Sequence, residues 1–197
     1  MKQLLKLTCI GIALLGVTAT GNAQELLTFD DLPTTPPGPG QAGIGLLPNG
    51  YGGLNWENFN VIDGLEAEPS YGYYTGVVSS PNVAFNVYGD PASISDPNGL
   101  FDLDSAYLTA ALNLDTPLNI EIQGFDGATM LYDNTYTVYN TGPTLINFNY
   151  NGVNSVTFIS APPQQFAMDN LMVTVPEPSV MGLLGIGAAA LFVRRHR

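Results

Sequence analysis

Leu118-Asn-Ile-Glu-Ile-Gln123 alternates apolar and polar residues without a break. That period of two belongs to a strand with one buried face. Asp126-Gly127 follows and is a tight hairpin signal. It leads into Thr129–Tyr132 and Thr135–Val138, both rich in β-branched and aromatic residues. Gly142-Pro143 breaks the chain, Leu145–Phe148 reads as a further strand, and Asn151-Gly152 gives a second hairpin signal. Val153–Ser160 and Phe166–Val175 complete a predicted antiparallel meander. Within the last segment Phe166 and Met168 share one face while Leu171 and Val173 take the other, so a bulge is expected near Asp169.

Working back toward the N-terminus, Leu26–Asp30, Leu54–Ile62, Val83–Tyr88 and Ala106–Ala110 read as strands. Residues 33–45 contain Thr-Thr-Pro-Pro-Gly-Pro-Gly and read as loop, because proline cannot donate to a ladder. No long helical period interrupts the series. The expected fold is all-β: an antiparallel two-sheet sandwich of the jelly-roll type, flanked by an N-terminal signal helix and a C-terminal hydrophobic helix.

Charge is unevenly distributed. All five basic residues lie at the ends: Lys2 and Lys6 at the front, Arg194, Arg195 and Arg197 at the back. The single histidine, His196, and the single cysteine, Cys9, are also terminal. Residues 24–174 therefore contain no Lys, Arg, His or Cys. Phosphate-backbone binding rests on Lys and Arg, so nucleic acid is not expected as a partner. Ser-His and Cys-His nucleophiles, His or Cys zinc sites and disulfides are excluded from this domain by the same count. Carboxylate, amide, hydroxyl and aromatic chemistry remains, which suits hard cations and sugars.

The ends read as addresses. Lys2 and Lys6 precede a short apolar run, and Gly21-Asn-Ala23 presents small residues to a signal peptidase. Residues 1–23 are thus expected to be a signal peptide, cut between Ala23 and Gln24. Residues 175–197 hold Val175-Pro176-Glu177-Pro178, an apolar run and the basic end Arg194, Arg195 and Arg197. As a helix, Ser179–Val193 reaches only about 22 Å, short of a hydrocarbon core of roughly 30 Å. The basic cluster marks its cytoplasmic side, so the precursor is expected to be anchored transiently in the inner membrane. This tail resembles the PEP-CTERM sorting signal. The resemblance implies a Gram-negative host that makes exopolysaccharide, recognition by an exosortase, cleavage near the motif, and delivery to the cell surface or extracellular matrix.

The middle also resembles secreted carbohydrate-binding-module jelly rolls. The resemblance rests on Leu27-Thr-Phe-Asp-Asp-Leu32, Pro48-Asn-Gly-Tyr-Gly-Gly-Leu-Asn-Trp56, Asn82 with Phe85-Asn86, Phe101-Asp-Leu103 and Met168-Asp-Asn-Leu171. It implies a non-catalytic module that binds extracellular polysaccharide or stiffens a biofilm matrix.

Two candidate sites follow. In such sandwiches the first and last strands lie side by side, which would gather Asp30, Asp31, Asp169 and Asn170. With no base to pair them, a Ca²⁺ ion with oxygen ligands would relieve their repulsion. The second is a glycan platform of Tyr51, Asn55, Trp56, Glu57, Asn58, Tyr71, Tyr73, Tyr74 and Asn82, with rings to stack on sugars and polar groups for hydroxyls. Trp56 could equally be core. Two alternatives stay open: a secreted glycoside hydrolase or lyase using paired carboxylates, and a structural surface protein without a ligand. No carboxylate pair stands out by spacing, so no catalytic residue is named.

Overall fold

A computed structural model of the chain describes residues 22–96, 99–113 and 116–176. The expected signal helix and C-terminal hydrophobic helix lie outside these residues. Twelve strands run in chain order: β1 Asn22–Leu27, β2 Ile44–Leu46, β3 Asn55–Glu57, β4 Phe59–Asp63, β5 Asn82–Asn86, β6 Ala92–Ser95, β7 Phe101–Ala110, β8 Leu118–Asp126, β9 Thr129–Val138, β10 Thr144–Val153, β11 Ser155–Ile159 and β12 Phe166–Pro176. One helical turn, α1, spans Gly72–Thr75.

The alternation at Leu118 does place one face inside. Leu118, Ile120, Ile122 and Gly124 are buried, whereas the residues between them are less so. β8 pairs with β9 from Leu118↔Val138 to Asp126↔Thr129, closed by a turn at Gly127, whose φ of 59° suits glycine. The strands form two antiparallel sheets, a jelly-roll sandwich. The seven-stranded sheet runs β10-β7-β12-β5-β4-β2, with β1 also on β12; the five-stranded sheet runs β3-β6-β11-β8-β9. Rings from both sheets meet between them: Phe158 of β11 lies 5.8 Å from Phe59 of β4 and 5.8 Å from Phe166 of β12. All three are buried. Each such ring contributes about 1.5–3 kcal/mol of burial energy.

The chain from β8 onward is not a meander. β10 pairs with β7, β11 with β8 and β6, and β12 with β7, β5 and β1, so the chain changes sheet at each step after β9. Asn151-Gly152 is correspondingly not a hairpin turn. Both residues lie inside β10, whose pairing shifts register at Asn147/Tyr150 and Tyr150/Val153, and Asn149 and Gly152 hold φ of 53° and 66°. These left-handed residues bend the strand toward the other sheet.

A similar break splits the expected strand 54–62. Asn58 has φ 57°, and its amide donates to the carbonyls of Val87, Asp90 and Pro91. β3 thereby joins the five-stranded sheet and β4 the seven-stranded one. Tyr88 (φ 58°) and Gly89 (φ 75°) end β5 earlier than expected, in a 3₁₀ turn. Thr129–Tyr132 and Thr135–Val138 are one continuous strand, and 101–105 extend the strand expected at 106–110. The loop expected at 33–45 gives up its end to β2, which pairs with β4 through Ile44↔Ile62. β6 alternates apolar and polar residues but, at four residues, is too short to stand out from the sequence.

Candidate functional site

β12 has two neighbours along one edge. Leu171–Pro176 pairs with β1, and Ala167 and Met168 pair with Phe85 and Ala84 of β5. The two strands therefore meet end to end at Asp169–Asn170. Here β12 bulges as the face switch predicts: its pairing with β7 shifts register between Asp169 and Met172, and Asn170 has φ 50°.

Asp169 is fully buried at this seam. Its Oδ2 accepts the N–H groups of Val78 (2.6 Å) and Ser79 (2.9 Å). Its Oδ1 accepts the Ser79 hydroxyl (3.0 Å) and the Asn170 N–H (2.7 Å). Burial raises its pKa to about 6, and these donors hold it back from going further. Asp169 thus anchors the loop before β5. Asp30 accepts the Asn82 N–H at 3.0 Å, and the Asn82 amide donates to the carbonyls of Phe29 and Leu32. Asn82 is buried, so it presents no face to a sugar. Asp31 accepts the Tyr51 hydroxyl at 2.9 Å, while that hydroxyl accepts the Phe29 N–H. Burial, together with the Asp31 bond, pushes the Tyr51 hydroxyl pKa up.

Among the described residues, no group of three or more His, Cys, Asp or Glu is placed to hold a metal ion. Two amide oxygens, Asn82 Oδ1 and Asn170 Oδ1, are nevertheless buried without a hydrogen-bond partner. Orphaned oxygens of this kind are hard-cation donors. Both Asp169 oxygens, by contrast, already accept hydrogen bonds.

The aromatic candidates separate into different environments. Trp56 is 6% exposed, donates its indole N–H to the Tyr51 carbonyl at 2.9 Å, and packs edge-on against Phe29 and Phe59. Its faces are not open to a sugar. Its edge does line a polar groove of about 260 Å³ with Asn55, Glu57, Asn49, Ser93 and Ser95.

Tyr73 lies elsewhere. Its hydroxyl donates to Gln165 at 2.6 Å, its ring meets Phe85 edge-on, and burial raises its pKa. Tyr71 stacks beside it at 6.4 Å and 19°, and stays 36% exposed. Together they line a groove of about 470 Å³ whose other walls include Glu66, Glu68, Gln41 and Ala42. The proline- and glycine-rich segment after β1 supplies one wall, and Glu66 tethers it by accepting the Gly43 N–H at 2.9 Å. Gly72, between the two tyrosines, must be glycine: a Cβ there would overlap the Ala110 carbonyl. Tyr74 is exposed but outside this groove.

Tyr71 was among the platform aromatics read from the sequence, whereas the polar groove residues Glu66, Glu68 and Gln41 were not singled out. The signal for Tyr71 was present in Tyr71-Gly-Tyr-Tyr74. Nothing local marked the other three.

At the ends, Ala23 and Gln24 lie in β1, and Val175 and Pro176 close β12. Glu177, Pro178, Arg194, Arg195 and Arg197 lie outside the described residues. Among the described residues no helix is long and apolar enough to cross a membrane.

The described residues form a two-sheet β-sandwich, and a sorting motif follows it at the C-terminal end. Residues 174–197 match the PEP-CTERM protein-sorting motif, which marks the chain for export and cell-surface sorting. No curated protein matches the sequence. Similar solved structures are carbohydrate-binding modules. TmCBM61, solved with β-1,4-galactotriose, shares 9% identity at TM-score 0.36, covering 66% of this chain and 95% of that one. The CBM22-1 xylan-binding domain of Paenibacillus barcinonensis Xyn10C shares 11% at TM-score 0.41, covering 80% and 96%. A family 16 carbohydrate-binding module shares 13% at TM-score 0.35, covering 59% and 85%.

Proposed function

We propose that the processed chain is a non-catalytic module of the cell surface or extracellular matrix that binds polysaccharide, with the groove at Tyr71 and Tyr73 as its glycan site. The observation that carries this reading is the pairing of a half-open, stacked tyrosine face with two carboxylates and an amide in one groove. Rings of that kind cover the apolar face of a sugar, and carboxylates and amides accept or donate to its hydroxyls. Seventeen acidic residues, of which only Glu177 lies in the tail, give the domain a net charge of −16. Neutral polysaccharides are therefore favoured over anionic ones.

Signal peptidase and an exosortase act on the precursor, which is held in the inner membrane until the tail is cut. Ca²⁺ is a structural cofactor in this reading, held by Asp30, Asn82 and Asn170 at the seam where β1 meets β5. It would neutralise a carboxylate and partner the two orphaned oxygens. The test of the glycan site is binding of the processed domain to immobilised neutral polysaccharides. Tyr71→Ala should lower affinity at least ten-fold with an unchanged melting temperature. Equal binding by wild type and variant, or none by wild type, would remove the groove from consideration and favour a ligand-free surface role.

A further inference from the structure

Tyr88 stands in the turn that follows β5, with φ 58° and ψ 9°, in the left-handed region. A side chain crowds the backbone there, so glycine or asparagine is the ordinary occupant. Of the other non-glycine residues with positive φ among the described residues, Asn58, Asn149 and Asn170 are asparagines and Phe29 is fully buried. Neither account covers Tyr88. It is 77% exposed, and among the described residues neither a ring nor a hydrogen bond engages its side chain. Bulky left-handed residues persist only where the surrounding structure over-determines them, and they cluster at ligand sites.

The turn is over-determined by side chains that do not involve the phenol. Asn58 donates to the carbonyls of Val87, Asp90 and Pro91, on both sides of Tyr88, and its own carbonyl accepts the Val87 N–H at 3.1 Å. The amide of Asn58 is therefore spent on this turn and not on a sugar. The buried Asn86 donates to the Asp90 carbonyl (3.1 Å) and to the Ser160 hydroxyl (3.0 Å). Gly89 leaves no room for a Cβ, which would lie 2.6 Å from the Gln164 carbonyl. The turn also belongs to the face that carries the tyrosine groove. Val87 packs in one apolar cluster with Phe85 and Tyr73. Gln165 accepts the Tyr73 hydroxyl and donates to the Asn86 carbonyl at 2.8 Å. The Phe85 ring lies 5.5 Å from that of Tyr73, and the chain from Phe85 to Tyr88 spans at most about 10 Å.

We propose that Tyr88 is a second stacking platform for a polysaccharide chain that also occupies the Tyr71–Tyr73 groove, so that the module grips a run of several sugars rather than one. The exposed phenol offers its ring to the apolar face of a sugar. The exposed carboxylate of Asp90 stands two residues away in the chain and accepts from hydroxyls. The groove repeats that chemistry, a tyrosine beside Glu66 and Glu68. Because the turn is fixed before any ligand arrives, the ring binds without an ordering cost to the backbone. This inference rests on the groove reading given above and adds the length of the bound chain to it.

The experiment titrates the protein recovered from an exporting host, by calorimetry, with the disaccharide and the hexasaccharide of cellulose, mannan and starch. Wild type should bind at least one hexasaccharide ten-fold or more tighter than the matching disaccharide. Tyr88→Gly removes the ring and suits the left-handed backbone. It should weaken hexasaccharide binding at least five-fold, leave disaccharide binding within two-fold, and not lower the melting temperature. Tyr88→Trp keeps a platform and should hold hexasaccharide affinity within two-fold of wild type. The platform is overturned if wild type binds the hexasaccharide no tighter than the disaccharide, or if Tyr88→Gly leaves hexasaccharide affinity unchanged. It is overturned equally if that variant weakens both sugars alike or melts at a lower temperature, while Tyr71→Ala reports separately on the groove. Wild type that binds none of these sugars overturns the groove reading, and the platform with it.

Discussion

Replacing Asp169 with alanine should be among the costliest single changes in the domain. Its carboxylate receives three backbone N–H groups and one hydroxyl, at 2.6 to 3.0 Å, in a site with no exposure. Truncation leaves the Val78, Ser79 and Asn170 N–H groups without an acceptor. Each buried orphan costs about 1–3 kcal/mol, less whatever water entering the small void recovers. The net loss at pH 7 should be about 3–4 kcal/mol, read as a lower urea midpoint with an unchanged slope in the presence of chelator.

The pH dependence gives a second, independent reading. Burial lifts the folded pKa from 3.8 to about 6, so the folded state binds the proton more tightly than the unfolded chain. The proton-linked part of Asp169's contribution is then full below about pH 4 and is lost as pH rises through about 6, which leaves the hydrogen-bonded part at pH 7. The gap between wild type and Asp169→Ala should be wider at pH 4 than at pH 7, by up to about 3 kcal/mol. A variant within 1 kcal/mol of wild type at pH 7, or a gap that does not change with pH, would refute the assignment of Asp169 as a buried anchor.

Three further outcomes are expected. Trp56→Ala should cost about 3–5 kcal/mol, measured by thermal or urea unfolding, because it empties a core site between Phe29 and Phe59; a loss below 1 kcal/mol would show that the indole is not core. Gly72→Ala should destabilise by about 1–3 kcal/mol, since the new methyl meets the Ala110 carbonyl, and should weaken polysaccharide binding by shifting the adjoining tyrosines; unaltered binding would separate α1 from the site. Calcium at 100 times its dissociation constant should stabilise the domain by about 2.7 kcal/mol, an effect that Asn170→Ala or Asp30→Ala removes; an identical melting temperature with calcium and with chelator ends the cation proposal.

What local sequence determines was legible. The unbroken alternation at Leu118–Gln123, the Asp126-Gly127 turn and the change of face between Met168 and Leu171 each report on neighbouring residues, and each has its counterpart in the structure. Sheet membership was not legible, because it depends on which distant strand competes for an edge. Asn151-Gly152 has the chemistry of a hairpin turn, yet the left-handed conformations at Asn149 and Gly152 serve to bend β10 between the sheets. Trp56 looked available because Tyr51-Gly-Gly-Leu-Asn-Trp56 is polar and glycine-rich around it. Phe29 and Phe59, which bury it, are brought there only by tertiary packing. The role of Asp169 was hidden for the same reason: its donors come from Val78 and Ser79, about ninety residues earlier.

The seam on β12 explains why a domain without a single basic residue can keep a carboxylate in its core. A buried carboxylate is usually neutralised by Lys or Arg. Here backbone N–H groups take that part, and they can do so because the chain breaks its ladder at Asp169–Asn170, where β1 ends and β5 begins. A continuous strand along that edge of β12 would turn its amides to the neighbouring carbonyls. The break frees the amides of Val78 and Ser79 to point at Asp169, and it leaves Asn82 Oδ1 and Asn170 Oδ1 unpartnered. The same interruption therefore produces the anchored carboxylate and the oxygens that a cation would complete.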